Sequence, residues 1–460
     1  MNVCPYANTS EACGLPAVNA DQNSTVAYCQ KCSEVVFRCA SGHWNRAFAR
    51  FCTRCGEKLK KPAEWGMASG NPQRTATLPK MSSVDVLNRD YGFNTGVVNI
   101  PEISSDGDLP ELLVIDGLIV VPNPHEKKLD AYIIANPFKQ KNLRLKWSIP
   151  YDEALTYGAT PVYHGFHLYY VNSSGIRRQP VTGGEVKPVE LNGVTSAHIQ
   201  PIPRCAPLKC YVNGSPTIIV GLAQGVLLLD LISNEGNYIK HKFFSENTVM
   251  SPVQCREYIV FTTLQGQIFT LNMNMIGDKI APPKMYRNIS FSAPVSLGQK
   301  VYFEALSRSG NRSLACFDPS SGKLSKAIEM DNDPENNFEN RQTLFTHPPL
   351  TDRKRLFMSN RYGKQIYIYD IEDGYSSERI LPQNDVRYMF APHLSIVVNN
   401  RIYSPTSYGL TILDLTQNYT TLYQSLAMGM PTAPKPIARP MRYGDKLFIL
   451  CEDRLLCLDC

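Results

Sequence analysis

The sequence has no long apolar run, little tryptophan and no strong excess of either charge. None of its 460 residues falls in an apolar stretch near the ~20 residues that a membrane-spanning helix requires. The 47 basic and 41 acidic residues give a formal charge of +6, which excludes a histone-like chain and a highly charged disordered one. The opening MNVCPYANTS has neither a basic segment nor an apolar core, so we expect no secretory leader and a cytoplasmic location.

Charge and cysteine are concentrated at the N-terminal end. Residues 1–80 hold ten basic and five acidic side chains, whereas the other 380 residues are almost neutral. Seven of the 14 cysteines lie within the first 55 residues. The 24 Tyr and 18 Phe against only 3 Trp, with 33 Pro and 29 Gly spread along the chain, favour short β-strands joined by turns. Two differently built regions are therefore predicted.

Two short cysteine pairs have the spacing of a metal site. Cys29-Gln-Lys-Cys32 is followed, nineteen residues later, by Cys52-Thr-Arg-Cys55-Gly56. Two thiolates three positions apart on a tight turn can face one tetrahedral ion, and a second such turn completes its coordination. We predict a zinc ion on these four cysteines (site 1); a redox-active C-x-x-C is the alternative.

A second set of candidate ligands is interleaved with the first. Cys4, Cys13, Cys39 and His43 are the remaining donors, and Cys39-x3-His43 has a ligand spacing. In a cross-braced arrangement the first and third pairs would share one ion (site 2) and the second and fourth the other. The alternative is a surface histidine and a free thiol, so we expect one or two Zn²⁺ ions. With four protein ligands each ion would be structural, and it would stabilise a head of about sixty residues that is too small to fold on its own core.

Basic side chains accompany the cysteine pairs. They are Arg46, Arg50, Arg54, Lys58, Lys60 and Lys61, with aromatic residues between them. Such a mixture can hold a nucleic-acid backbone and stack bases. The alternative is a solvated basic face whose aromatic rings cover the metal site. A helix would align the three arginines in one stripe, whereas a hairpin would scatter them.

The rest of the chain divides into a linker and a repeat region. Residues 61–96 are rich in Pro, Ser, Thr, Asn and Gly without periodicity, which predicts an extended tether or strap. From residue 97 onward, two independent features recur about every 46 residues, a period typical of propeller blades. One is a proline that precedes a β-rich run: Pro110, Pro161, Pro207, Pro252, Pro294, Pro348, Pro392 and Pro440. The other is a polar residue that ends a later run: Asn136, Thr182, Asp230, Asn272, Asp318, Asp370, Asp414 and Asp459.

These repeats predict a mainly β protein whose residues 97–460 form a β-propeller. Eight blades are expected, with seven as the alternative. The eighth unit ends after its third strand, so we expect Val97-Val98-Asn99-Ile100 to supply the fourth and remove an open sheet edge.

Two segments resemble known families. Phe51–Leu59 resembles the second half of a zinc ribbon, of the double-zinc-ribbon kind. Ala315-Cys316-Phe317-Asp318-Pro319-Ser320-Ser321-Gly322-Lys323-Leu324 is similar to the A-x-D-x-x-T-G-K-x-x-W repeat of quinoprotein (PQQ)-like eight-bladed propellers. The docking tryptophan of each blade is missing, however, because Trp147 is the only one after residue 97. The resemblance therefore implies the scaffold and not the quinone chemistry.

The functional expectation follows from this combination. Chains that join such a head to such a propeller look like accessory subunits of prokaryotic multiprotein systems, including signalling and defence assemblies. We expect a non-enzymatic adaptor that binds protein partners, without a small-molecule substrate or a membrane span; a nucleic-acid-binding subunit is the alternative. His164 and His167 are read as positions on opposite sides of one strand and not as a ligand pair.

Overall fold

The computed structural model describes the following parts of the chain: 26–28, 35–46, 51–59, 98–99, 111–115, 117–123, 126–133, 144–151, 160–172, 175–189, 205–212, 215–222, 225–231, 235–240, 250–273, 284–287, 289–332, 348–359, 364–374, 376–381, 390–391, 394–398, 400–406, 409–416, 419–425, 438–443, 446–451 and 454–459. Their regular elements are β-strands, so the mainly β class is confirmed. Among them no helix has the length and hydropathy needed to cross a bilayer. The predicted linker, 61–96, lies outside these residues.

A small sheet forms near the N-terminal end. It consists of β1 (Val26–Tyr28), β2 (Val35–Arg38) and β3 (Trp44–Arg46), in that order. β2 and β3 form an antiparallel hairpin in which Arg38 lies opposite Trp44. The turn of this hairpin therefore carries Cys39 and His43. Next along the chain comes β4 (Val98–Asn99).

Seven antiparallel sheets follow, each made of consecutive strands. Sheet 1 contains β5 (Leu113–Ile115), β6 (Leu118–Asn123), β7 (Lys128–Ile133) and β8 (Arg144–Pro150). Sheet 2 contains β9 (Val162–His164), β10 (His167–Asn172), β11 (Gly175–Pro180) and β12 (Lys187–Pro188). Sheet 3 contains β13 (Leu208–Val212), β14 (Ser215–Leu222), β15 (Gly225–Asp230) and β16 (Glu235–Lys240). Sheet 4 contains β17 (Val253–Cys255), β18 (Tyr258–Thr262), β19 (Gln267–Asn272) and β20 (Lys284–Met285).

Sheets 5 to 7 repeat the plan. In sheet 5 both β21 (Ile289–Phe291) and β22 (Val295–Leu297) pair with β23 (Lys300–Ser307), which is followed by β24 (Asn311–Asp318) and β25 (Lys323–Asn332). Sheet 6 contains β26 (Leu350–Thr351), β27 (Arg355–Ser359), β28 (Gln365–Asp370) and β29 (Ser376–Ile380). Sheet 7 contains β30 (Ile396–Val398), β31 (Arg401–Thr406), β32 (Gly409–Asp414) and β33 (Thr420–Ser425).

The last repeat gives a composite sheet. Its strands are β34 (Met441–Tyr443), β35 (Lys446–Leu450) and β36 (Arg454–Asp459), and β4 pairs with β36. In that pairing Leu455 lies opposite Val98. The β-propeller is thus confirmed, but the count of eight alike blades is corrected: seven blades are built wholly from consecutive strands. Within the described residues the eighth repeat supplies three strands, and β4 from before the first repeat is the fourth strand of its sheet.

Contacts between the first strands of neighbouring sheets place these strands near the axis of the propeller. β17 contacts β22, β26 contacts β30, and β34 contacts β5. The last contact joins the composite sheet to sheet 1. Beside it, Arg439 and Glu111 form a buried ion pair of 3.1 Å across 328 residues of sequence. The two ends of the repeat region therefore meet.

The core lies between the sheets, because each sheet is covered on both faces by its neighbours. Every residue of β6 and of β32 is accordingly buried, and these strands are largely continuous apolar runs instead of an alternating pattern. Phe303 and Phe357 are fully buried. Burying each such ring contributes roughly 1.5–3 kcal/mol.

Asp318, the polar residue that ends the third strand of sheet 5, binds the turn that follows it. The carboxylate of Asp318 accepts hydrogen bonds from the amide and hydroxyl groups of Ser320, at 2.9 and 2.6 Å. Gly322 has φ +64°, a conformation that favours glycine. Asp318 therefore caps the turn between the third and fourth strands of its sheet, at the polar position that recurs in the repeats.

Candidate metal centre

The first half of the centre is the turn of the β2–β3 hairpin. The Cys39 amide donates to the His43 carbonyl at 3.0 Å, and the His43 amide approaches the Cys39 sulfur at 3.3 Å. Gly42 has φ +84°, which lets the chain reverse between them. This turn directs the Cys39 thiol and the His43 ring to the same side.

The second half is a tight turn closed by a bridge between Phe51 and Lys58. The Gly56 amide donates to the Cys52 carbonyl at 2.9 Å, and the Cys52 amide donates to the Glu57 carbonyl at 2.7 Å. Gly56 has φ +72°, a conformation that favours glycine and lets the chain turn tightly after Cys55. The turn therefore presents the thiols of Cys52 and Cys55 together.

The two turns bring four donor atoms into one cluster. The donors of Cys39, His43, Cys52 and Cys55 all lie within 4.8 Å of one another. The Cys39 and Cys55 sulfurs are 3.8 Å apart, and the His43 Nδ1 lies 3.6 Å from the Cys39 sulfur and 3.7 Å from that of Cys52. A tetrahedral ion with Zn–S of about 2.3 Å and Zn–N of about 2.0–2.1 Å would hold its donors about 3.8 Å (S···S) and 3.6 Å (S···N) apart. The donors therefore fit a tetrahedral metal ion.

Asn45 joins the two halves. Its side chain is buried; Nδ2 donates to the His43 carbonyl at 2.9 Å, and Oδ1 accepts from the Thr53 amide at 3.0 Å. One amide group thus fixes the relative position of the two turns. Asn45 could not be identified from the sequence, because a single amide on a strand has no characteristic spacing.

Burial and hydrogen bonding have opposite effects on the two buried thiols. Burial raises the pKa of Cys39. Burial also opposes ionisation of Cys52, but hydrogen bonds from the backbone of Cys55 and Arg54 outweigh it and lower the Cys52 pKa to about 6. Cys52 can therefore offer a thiolate at neutral pH, the form that binds metal.

This cluster differs from the grouping predicted from the sequence. The structure brings together the third and fourth pairs, Cys39/His43 and Cys52/Cys55, which the interleaved scheme assigned to two different ions. The reason is local: both turns close within twenty residues, and Asn45 holds them together. Spacing alone cannot decide which pairs meet. Four of the predicted ligands, Cys4, Cys13, Cys29 and Cys32, lie outside the described residues.

The basic residues of the head do not form a helical stripe. Arg46 lies on β3, and Arg54 lies in the turn between Cys52 and Cys55. Arg54 and Lys58 are exposed, as is the ring of Phe51, at 57%. Three further predicted contacts, Arg50, Lys60 and Lys61, lie outside the described residues.

His164 and His167 do not lie on one strand. They face each other across the β9–β10 hairpin as register partners. The prediction that they occupy opposite sides of a strand is therefore wrong, because a two-residue turn at Gly165 and Phe166 separates them. His167 Nδ1 lies 3.0 Å from the Gly165 carbonyl, so this ring already contacts its own turn.

Comparison with known proteins identifies the fold only. No family model and no curated protein matches the chain. Among solved structures, the computationally designed Ika8 protein aligns with a TM-score of 0.53 and 11% identity, over 80% of this chain and 100% of that one. BamB from Moraxella catarrhalis aligns with 0.48 and 13%, over 79% and 97% of the two chains. A europium-containing methanol dehydrogenase aligns with 0.49 and 11%, over 85% and 89%. Identities this low carry no information on activity.

Proposed function

We propose that this protein is a non-enzymatic adaptor of the cytoplasm, in which a head held by structural zinc is joined to a propeller that binds protein partners. The four-donor cluster is the observation that carries the proposal. Three thiol groups and one imidazole fill a tetrahedral coordination sphere and leave no position for water or substrate. An ion bound there stabilises shape. A thiolate-rich site also persists where thiols stay reduced, as in the cytoplasm.

The body supports a structural role as well. Burial raises the pKa of Cys210 to about 12, and it also raises the pKa values of Cys255 and Cys316. Because thiolates are the reactive form, these thiols are held inert. The buried ion pair joins the two ends of the repeat region and so helps to hold the propeller closed as a support. Rigid supports with exposed turns are well suited to binding other proteins.

Size-exclusion co-purification from the native host tests this function. The full chain should elute under gentle conditions at the mass of a complex, with a second protein in fixed proportion. A chain that elutes alone, or one that carries an organic cofactor, would contradict the adaptor. We further propose that the assembly is an accessory one of the signalling or defence kind; the identity of the co-purified proteins tests that part.

A second candidate, nucleic-acid binding by the head, is favoured by one feature. The exposed Phe51 ring is paired across the turn with Lys58, and Arg54 is exposed at the turn tip. An exposed ring with cations on the same turn can stack on a base while the cations contact phosphates. Affinity for single-stranded RNA should then fall steeply with salt, and deletion of residues 1–60 should abolish it. Unchanged affinity after that deletion would reject this candidate.

A further inference from the structure

One end of the propeller carries two sets of turns. We call the turns between the first and second strands of each sheet the inner turns, and those between the third and fourth strands the outer turns. Backbone hydrogen bonds join the two sets: the Val181 amide donates to the Phe166 carbonyl at 2.8 Å, and the Ile371 amide donates to the Lys354 carbonyl at 3.0 Å. Inner and outer turns therefore lie at the same end, which we call the inner-turn face. Turns between second and third strands lie at the opposite end.

Two large aromatic side chains are exposed on this face. Phe166, in the inner turn of sheet 2, is 45% exposed, and Tyr211, next to the inner turn of sheet 3, is 62% exposed. Sheets 2 and 3 are neighbours: the Lys209 ammonium on β13 donates to the Tyr163 carbonyl on β9 at 3.0 Å. The two rings thus belong to one sector of the face.

The next three inner turns carry positive charge. Their exposed cations are Arg256 in sheet 4, Lys300 in sheet 5, and Arg353 and Lys354 in sheet 6. The acidic side chains of these turns are less accessible to a partner than the cations are. Glu257 is half-buried. The carboxylate of Asp352 accepts hydrogen bonds from Nη2 and Nε of Arg355, at 2.6 and 2.8 Å. This part of the face therefore has a net positive charge.

Three of the exposed residues in these turns have a left-handed backbone. Phe166 has φ +71°, Arg256 +54° and Arg353 +79°. A left-handed conformation costs a bulky residue about 1–2 kcal/mol, whereas glycine adopts it freely, as Gly298 does in the inner turn of sheet 5 at φ +59°. At Phe166 a large aromatic ring is therefore carried by a backbone that glycine would adopt at lower cost.

We propose that the inner-turn face binds an acidic protein segment with a large apolar side chain, which packs against Phe166 and Tyr211 while its carboxylates meet the cations of sheets 4 to 6. This inference rests on the proposed adaptor function and names the partner's chemistry. The outer turn of sheet 6 carries exposed Glu372 and Asp373, about two strand spacings farther out. These two carboxylates oppose a long uniformly charged polyanion that would extend from the inner turns across the outer turn of sheet 6, which favours a short acidic protein segment over nucleic acid.

Fluorescence anisotropy of a labelled peptide of alternating glutamate and phenylalanine tests the proposal with the full chain. We expect saturable binding that weakens as ionic strength rises from about 0.05 to 0.5 M. The triple variant Arg256→Glu, Lys300→Glu, Arg353→Glu should weaken binding about tenfold or more, since several charges change together. Phe166→Gly should weaken it to a similar extent through loss of an aromatic anchor, without unfolding, because glycine suits that backbone.

The matched control reverses charges at the opposite end. Lys127, at φ +50° between the second and third strands of sheet 1, and Arg308, in the equivalent turn of sheet 5, are both exposed cations. The double variant Lys127→Glu, Arg308→Glu should bind the peptide as the wild type does.

Three results would overturn the proposal. These are no peptide binding by the wild type, equal binding by the triple variant, and displacement of the peptide by single-stranded oligonucleotide at lower concentration than by unlabelled peptide. The adaptor function is judged separately by co-purification. A partner recovered equally with wild type and triple variant leaves the adaptor standing and removes this surface.

Discussion

The ion pair between Glu111 and Arg439 should determine how strongly the ends of the propeller hold together. The guanidinium and carboxylate are 3.1 Å apart, with side-chain exposures of 2% and 5%, and they join the sheet of the last repeat to sheet 1. Glu111→Ala would leave a charged guanidinium buried without this carboxylate. Breaking a buried pair in this way costs about 3–5 kcal/mol, a large share of the roughly 5–15 kcal/mol that stabilises a typical protein.

Urea unfolding followed by far-ultraviolet circular dichroism measures this cost. The single variants Glu111→Ala and Arg439→Ala should each lower the midpoint strongly, whereas Glu111→Leu with Arg439→Leu should recover most of the loss, because no buried charge then remains. The control is the exposed pair of Lys128 and Glu126, at 2.7 Å and 40% and 43% exposure, whose removal should cost less than about 1 kcal/mol. If either single variant at 111 or 439 costs no more than this control, the pair does not close the ring.

The remaining predictions concern the metal, one glycine and one carboxylate. Cys39→Ser and Cys52→Ser should each lower the zinc content of the purified chain, measured by elemental mass spectrometry, whereas Cys316→Ser should leave it unchanged. Equal zinc content in all three variants would exclude the four-donor cluster as the zinc site. Gly266→Ala should destabilise the protein by at least about 2 kcal/mol, because the residue has φ +75° and the added methyl group would overlap the carbonyl oxygens of Tyr286 and Ile289. The control Gly165→Ala adds a methyl group that meets no atom within 4 Å, so it should cost less. Similar thermal midpoints for the two variants would refute this prediction. Hydrogen bonds from Ser320 and Ser321 lower the pKa of Asp318 to about 2. The ionised carboxylate therefore stabilises the fold above about pH 4, and this stabilisation is lost as the pH falls towards 2. Asp318→Asn should remove this part of the acid dependence, and identical acid unfolding curves for variant and wild type would contradict the prediction.

The repeat architecture could be predicted because its signals are local. Prolines before the first strands and polar residues after the third strands recur with one period, and Asp318 caps its turn through contacts within three residues. The strand that completes the last sheet follows from the same reasoning, since three strands leave an open edge and Val98 lies where a donor is needed.

Contacts between distant residues could not be predicted in this way. Glu111 and Arg439 flank repeat prolines, but nothing in the sequence indicates that units 328 residues apart meet through these side chains. The meeting of Cys39/His43 with Cys52/Cys55 could not be predicted for a related reason. The spacing of cysteines defines each turn, whereas the amide of Asn45, hydrogen-bonded to both turns, determines which turns lie together.

Native mass spectrometry of the full chain, isolated gently from cells that make it, tests the central claim most directly. We expect the 51.5 kDa chain with zinc bound, in a complex with at least one other protein. A metal-free chain of that mass on its own, or one that carries an organic cofactor, would contradict it.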